Sequence, residues 1–424
     1  MTQITRIELF HVSIPARKPF YPSWIPGYPQ TDSKLTLLRL VTDDGVTGWA
    51  AGNAFSDERQ GLGSLLGPYL IGLDPTDIDH VRQLLREASF LGWYNFWIEA
   101  ACWDIKGKIE GKPVYRLLNP DLDGPVTRAR VYASSGSIKP VAERLDYLDE
   151  IREMGFGATK LRVHDFDIRD DLAIVEAARR HVGSDLIIGV DANQGWRVTL
   201  IDDAPLWDLE RATEFARACE DLDVAWLEEP LDMHAYDELA ELRRRTRTRI
   251  AGCELNIGWQ EAKVFLEKGS FDIYQPDATF CGGLSTSRMI MRACLEKGLE
   301  FTPHTWTNGV GFVINLHAFA ANPERKMIEY PYEPPGWVPE VRDGLLEEPI
   351  LVDHDGTVPV PQEPGLGLRI DEGKLRRYGT RFYKGTKLKI VINTIRQKGL
   401  KTALELKKKK EARARAATQN THHG

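Results

Sequence analysis

Eight short apolar runs recur every 22 to 38 residues between about 129 and 331, and amphipathic stretches separate most of them. They read "ARVYASS", "ATKLRV", "LIIGVDAN", "VAWLEEP", "RIAGCEL", "FDIYQPD", "LEFTPHT" and "KMIEYP". Intervening segments such as "RDDLAIVEAARRHVG" and "LSTSRMIMRACLEKG" space their apolar residues as a helix does. Strand–helix units in this number predict an α/β chain built on a TIM-type barrel. No G-x-G-x-x-G follows the first run, which argues against a doubly wound dinucleotide fold.

The flanks differ from this rhythm. Residues 1–126 begin with the strand-like "ITRIELFHVSIP" and "KLTLLRLVTDDGVTGWAAG" and continue into helical patterns, as expected of an α+β unit. Between those strands lies "KPFYPSWIPGYPQTD", whose prolines and glycine predict a loop, with Tyr21, Trp24 and Tyr28 as its aromatic surface. The expected division is 1–126, a barrel over 127–345, a proline-rich segment 346–383 returning to the first unit, and a tail 384–424. That tail carries twelve Lys and Arg against Glu405 and Glu411, in a chain whose net charge is -7, so the rest stands at -17. A charge run of this kind reads first as a solvated helix, and an acidic body with a basic tail also fits self-association; specific nucleic-acid binding is not expected.

Five scattered cysteines without a C-x-x-C pair predict reduced thiols, and neither zinc nor a disulfide framework. No run reaches the roughly 20 apolar residues of a membrane helix, and the N-terminus lacks the apolar block of a signal peptide. A cytoplasmic enzyme is the expectation.

Barrel chemistry gathers where strands end. Here those ends carry Lys160 and Arg162, Asp191 and Asn193, Glu228 and Glu229, Glu254, Asp277, His304 and Glu329. Any one of these reads as a helix cap or a solubilising charge; seven consecutive strands ending in ionisable groups read as a site. Alternation points Lys160 and Arg162 the same way, so an anion is expected in front of them. Asp191, Glu228 and Glu254, from three neighbouring strands, can share a small volume only around a cation. All-oxygen ligation suits Mg2+ better than zinc. Glu229 competes with Glu228, and alternation predicts that only one faces the metal. An Asp277–His304 pair on adjacent strands would fix the imidazole tautomer and tune it as an acid or base.

In this order, "TKLR", "VDANQGW", "WLEEP", "GCELN", "QPDATFCGG", "TPHTW" and "MIEYP" resemble the mandelate racemase subgroup of the enolase superfamily, over roughly residues 1–380. The resemblance implies a (β/α)7β barrel with an α+β capping unit completed by a C-terminal segment, and a homo-oligomer. It implies Mg2+ on Asp191, Glu228 and Glu254, His304 as general base or acid with Asp277 as partner, and Glu329 as an acid bonded to the substrate carboxylate. Lys160 matches the first lysine of the subgroup's K-x-K motif. Its second lysine, usually the other base, is replaced here by Arg162.

That replacement separates two activities. Both begin by removing the proton beside a carboxylate, with metal and Lys160 stabilising the enediolate. Arginine stays protonated, so Arg162 is a poor base. Racemisation needs a base on each face; dehydration needs one, if His304 takes the α-proton and returns it to the departing 3-hydroxyl. An acid-sugar dehydratase giving a 2-keto-3-deoxy acid is therefore expected. The alternative, a racemase or epimerase of a 2-hydroxy or amino acid, would need Arg162 or His164 as second base. Tyr21 and Trp24 in the early loop, with Asn193, Trp306 and Asn308, are the expected substrate contacts.

Overall fold

The computed structural model describes residues 2–420; Met1 and the last four residues of the basic tail lie outside the described residues. The chain opens with three antiparallel strands, β1 (Ile4–Phe20), β2 (Gln30–Thr42) and β3 (Thr47–Asn53). The "TDDGV" turn joins β2 to β3, closed by the Thr42 amide on the Val46 carbonyl at 3.0 Å. Its Gly45 takes φ +85°, open to glycine at little cost. The strands run further than the prolines of the early loop predict. Pro15 pairs with Asp32, the register slips, and pairing resumes at Phe20 and Gln30. Burial of the Phe20 ring against Trp306 and Trp337 holds the strand end down and shortens the loop to residues 21–29.

Eight parallel strands follow: β4 (Arg128–Ser134), β5 (Ala158–Arg162), β6 (Ile187–Asp191), β7 (Val224–Glu228), β8 (Ile250–Gly252), β9 (Ile273–Tyr274), β10 (Glu300–Phe301) and β11 (Ile328–Pro331). Their order is β10-β9-β8-β7-β6-β5-β4-β11, so the first barrel strand pairs with the eighth and the sheet curls round on itself. Seven helices connect them, from Val141–Glu153 to Gly309–Ala320, giving the expected (β/α)7β series. β12 (Thr357–Pro359) adds antiparallel to the start of β4. β13 (Gly379–Thr386) returns to pair with β1, reaching three residues into the basic segment.

Local chemistry explains the alternation. The helix Ile168–Val182 begins where Asp167 accepts from the Arg169 amide, carries Asp170 and Asp171 in its first turn, and ends on Arg179, Arg180 and His181, each complementing the helix dipole. The β5 run "ATKLR" is buried throughout, cations included. Inside the barrel, Tyr132, Ala158, Trp226, Ala251 and Ile273 form an apolar plug beneath the strand ends. Trp226 fits because β6 offers Gly189, where a Cβ would strike the indole.

Two further contacts tie the first unit to the barrel. The His317 ring accepts from the Tyr115 amide (3.2 Å) and lies 3.1 Å from the Leu366 carbonyl. Glu99 accepts from the Ser285 hydroxyl at the start of helix Gly283–Lys297, and burial pushes its carboxyl up to about 7. Beyond β13, no side chain of the helix Lys387–Lys398 is buried. The five cysteines are free and buried. Among the described residues, no helix is long and apolar enough to cross a membrane.

Candidate active site

The strand ends converge as their order requires. β5 places Lys160 with its ammonium 2.5 Å from Glu228, 2.7 Å from Glu329 and 3.2 Å from Asp191, with no exposed surface. Arg162 donates to Asp191, through Nε to the Ser135 carbonyl (2.7 Å) and to Asn193 Oδ1 (3.2 Å). Its guanidinium lies over the rings of Trp24 (5.1 Å) and Trp306 (5.7 Å). The anions paired with the two cations here are the protein's own carboxylates, while Arg162 also faces the cavity. Burial at this depth forces the charges to pair within the protein. Burial opposes the charge on both cations, but the surrounding carboxylates win and raise both pKa values.

Opposite, the His304 Nδ1 lies 3.0 Å from Asp277 Oδ2. Asp277 is itself fixed, accepting from the Thr279 amide and hydroxyl (both 2.7 Å) and from Asn315 Nδ2 (2.8 Å). This leaves Nε2 facing Glu254 at 3.2 Å and Glu329 at 3.9 Å. Burial works against a charged imidazole, but Glu254, Glu329 and Asp277 together lift it to about 9.

Glu329 accepts from the Ser134 hydroxyl (2.8 Å) and the Thr305 amide (2.6 Å) besides pairing with Lys160. Burial raises its carboxyl, yet Lys160, His304 and Arg162 bring it down to about 2.

The remaining carboxylates carry more negative charge than these cations balance. Burial, offset in part by Lys160 and reinforced by Asp191 and Glu329, pushes Glu228 up to about 8, and burial raises Glu254 too. Burial lifts Glu229 well above the usual range, with Glu254, Asp191 and Glu228 adding to it. Alternation had placed Glu229 on the far side of Glu228. Instead Glu229 takes φ +45°, which ends the strand's alternation and brings it into the same acidic group, pressed against Gly195. Its Oε2 is buried without a partner.

Among the described residues, no group of three or more His, Cys, Asp or Glu side chains is arranged to hold a metal ion, and Asp191 and Glu228 both pair with the Lys160 ammonium. The chemistry of the donor set still fits a hard divalent cation. It is all oxygen, the Asp191 charge raises the pKa of both Glu228 and Glu254, and beside them one carboxylate oxygen of Glu229 is buried without a hydrogen-bond partner.

Above this floor lies a cavity of about 420 Å3, lined from the barrel by Arg162, Asn193, Glu254, His304, Trp306 and Asn308, among others, and from the first unit by Trp24 and Tyr28. Lys160 and Glu329 lie beneath the wall rather than on it. Tyr21, expected over the site, is 53% exposed and lies off the cavity, because the lengthened β1 carries it past the mouth. Trp306 contributes its ring only, since its Nε1 donates to Ser134 Oγ at 2.8 Å. Asn308 caps the helix Gly309–Ala320 through the Gly311 amide (3.0 Å), while its amide nitrogen meets Asn53 Oδ1 (3.0 Å). Asn193 Oδ1 accepts from Ser23 of the early loop at 2.7 Å. His164 turns its Nδ1 to the Ala192 carbonyl at 3.1 Å, outside the cavity.

Several participants escaped the sequence reading. Ser134 and Ser135, in the "YASSG" end of the first barrel strand, meet Glu329 through a hydroxyl and Arg162 through a backbone carbonyl; a hydroxyl at a strand end was the signal for the first, and the second left none. Gln275 donates to Glu228 Oε2 at 2.7 Å and sits two residues before Asp277, on the same alternation.

Comparison with known proteins agrees with this architecture. Residues 143–374 match the enolase C-terminal domain-like family, and residues 6–119 match the mandelate racemase / muconate lactonizing enzyme N-terminal domain. The chain is 29% identical over 359 residues to a D-galactarolactone cycloisomerase of Agrobacterium fabrum, covering 81% of this chain and 90% of that protein. It is 28% identical over 377 residues to an arabinonate dehydratase of Saccharolobus solfataricus, covering 84% and 93%. Among solved structures it resembles an L-talarate dehydratase from Polaromonas sp. JS666 complexed with Mg and L-glucarate, with a TM-score of 0.74, 25% identity, and coverage of 91% and 99%. With both of its halves matched in order, the chain belongs to the mandelate racemase and muconate lactonizing enzyme family of enolase-like proteins.

Proposed function

We propose that this protein is a hydro-lyase that removes water from a sugar acid to give a 2-keto-3-deoxy acid. One observation carries the reading: among the described residues lining the cavity the one imidazole, His304, is braced by Asp277, and the cation at that end of the wall is a pinned arginine. His304 is oriented by Asp277 at 3.0 Å, so Nε2, in the fraction of enzyme whose imidazole is neutral, is the atom that receives the α-proton, and the carboxylate beside Nδ1 stabilises the imidazolium that forms. The same imidazolium then gives its proton to the departing 3-hydroxyl. The carbon–oxygen bond breaks, water leaves, and the enol product takes a solvent proton at C3 as it becomes the 2-keto acid.

Arg162, held by Asp191, Ser135 and two indoles, supplies fixed positive charge and accepts no proton. Lys160 reinforces that charge from below. Asp191, Glu228 and Glu254 are the residues that would hold Mg2+. When bound, the cation would supply positive charge to the developing enediolate and to these three carboxylates. Trp24, Tyr28 and Trp306 exclude water from the reacting carbons. A racemase would need a second base across the cavity from His304; Arg162 stands there, and His164 faces a backbone carbonyl instead.

The test is a panel of sugar acids with enzyme and Mg2+, assayed for 2-keto acid. Formation from at least one member, lost on chelation and restored by Mg2+, is the expected result. An epimer accumulating without any keto acid would overturn the reading.

A further inference from the structure

The cavity has two ends with different charge, and the far end bears on which sugar acids fit. Resting on the dehydratase reading above, we propose that the enzyme takes monocarboxylate sugar acids, aldonates, and discriminates against dicarboxylates, aldarates.

The reacting carboxylate belongs at the barrel end, with Arg162, Glu254 and His304. The other end of the substrate then meets the first unit, where the charged side chains on the wall are Asp32 and Lys34 of β2 and Glu58 of the following loop. Among the described residues lining the cavity, Lys34 and Arg162 are the only Lys or Arg. Arg162 is committed to Asp191, Asn193 and Ser135. Lys34 lies 3.5 Å from Asp32, which also accepts from the Ser13 hydroxyl. The Glu58 carboxylate accepts from the Ser56 amide (2.9 Å) and hydroxyl (3.2 Å), with no cation of the wall against it. Arg59, next along the chain, is off the wall, its guanidinium over Trp97 at 5.3 Å.

The wall at the far end therefore carries two carboxylates and one lysine, with Arg59 interacting with Glu58 from behind it, amid Tyr28, Phe55 and Trp196. A second substrate carboxylate placed there meets like charge at a partly solvated rim. A terminal hydroxyl meets what it needs: acceptors on Asp32 and Glu58, and donors on Lys34.

The experiment compares kcat/KM for matched aldonate and aldarate pairs that share every stereocentre and differ only at the terminal carbon. For any pair acted on, the aldonate should be favoured by about 100-fold or more. The variant Asp32→Asn removes one negative charge and frees Lys34, and it should raise aldarate relative to aldonate by about 10-fold. An aldarate dehydrated as well as its partner overturns this inference and leaves the dehydratase reading standing. An aldarate-to-aldonate ratio unmoved in Asp32→Asn overturns it as well. An enzyme that dehydrates neither class but racemises another acid overturns both.

Discussion

The two ends of one cavity are built on opposite terms. At the barrel end the ionisable groups are nearly or fully buried, and all but Glu229 hold defined partners, as Glu329 does with Lys160, Ser134 and Thr305. These groups stand on strand ends braced by neighbouring strands. At the far end, Asp32, Lys34 and Glu58 sit on a strand tip and a loop, partly open to water, with one weak ion pair among them. Such exposed pairs contribute little to stability, so this end is free to vary without unfolding the protein. On the proposed reading, the buried strand ends carry proton transfer and the exposed rim carries selection.

The sharpest way to break that division is at His304. His304→Asn should lower kcat by about 1000-fold or more while circular dichroism stays unchanged; retained turnover would place the base elsewhere. Next comes its brace. Asp277→Asn keeps the shape but removes the charge behind the imidazole, and kcat should fall about 100-fold with KM little altered. Equal activity in this variant would mean that Asp277 only packs.

Trp24 lies between the two ends, stacked on Arg162 and facing the cavity. Trp24→Ala should raise KM by about 10-fold and change kcat less. A loss confined to kcat would move Trp24 to the chemical end.

A smaller effect is expected away from the cavity altogether. Burial pushes the His317 ring down to about 4 from its ordinary 6.5. The unfolded chain therefore binds a proton that the folded protein refuses. The stability tied to this residue is complete above pH 6.5 and drains away as pH falls toward 4, by about 3 kcal/mol at most. Chemical denaturation at pH 7 and pH 4.5 should show that loss, and His317→Asn should reduce it. An identical pH dependence in the variant would remove His317 from the acid response.

The repeat of apolar runs exposed the barrel, because parallel strands buried on both faces must be apolar and must alternate with helices. The strand-end residues were visible for the same reason, as polar interruptions that packing alone would not place. Three features were not visible. The length of β1 depends on Phe20 packing against Trp306 and Trp337, nearly 300 residues away, which no local signal records. Glu229 joins the acidic group through a positive φ at a residue type that seldom adopts one. Which anion faces Lys160 depended on three carboxylates from separate strands reaching inward together.

The most direct measurement follows the proton itself. Enzyme and Mg2+ are incubated in D2O with a sugar acid that is consumed, and the reaction is followed by proton NMR. Loss of the α-proton with formation of a 3-deoxy product carrying deuterium at C3 is the expected result, and it should vanish in His304→Asn. Exchange of the α-proton for deuterium with an epimer growing in, and no 3-deoxy product, would contradict the single-base account and turn attention to Arg162.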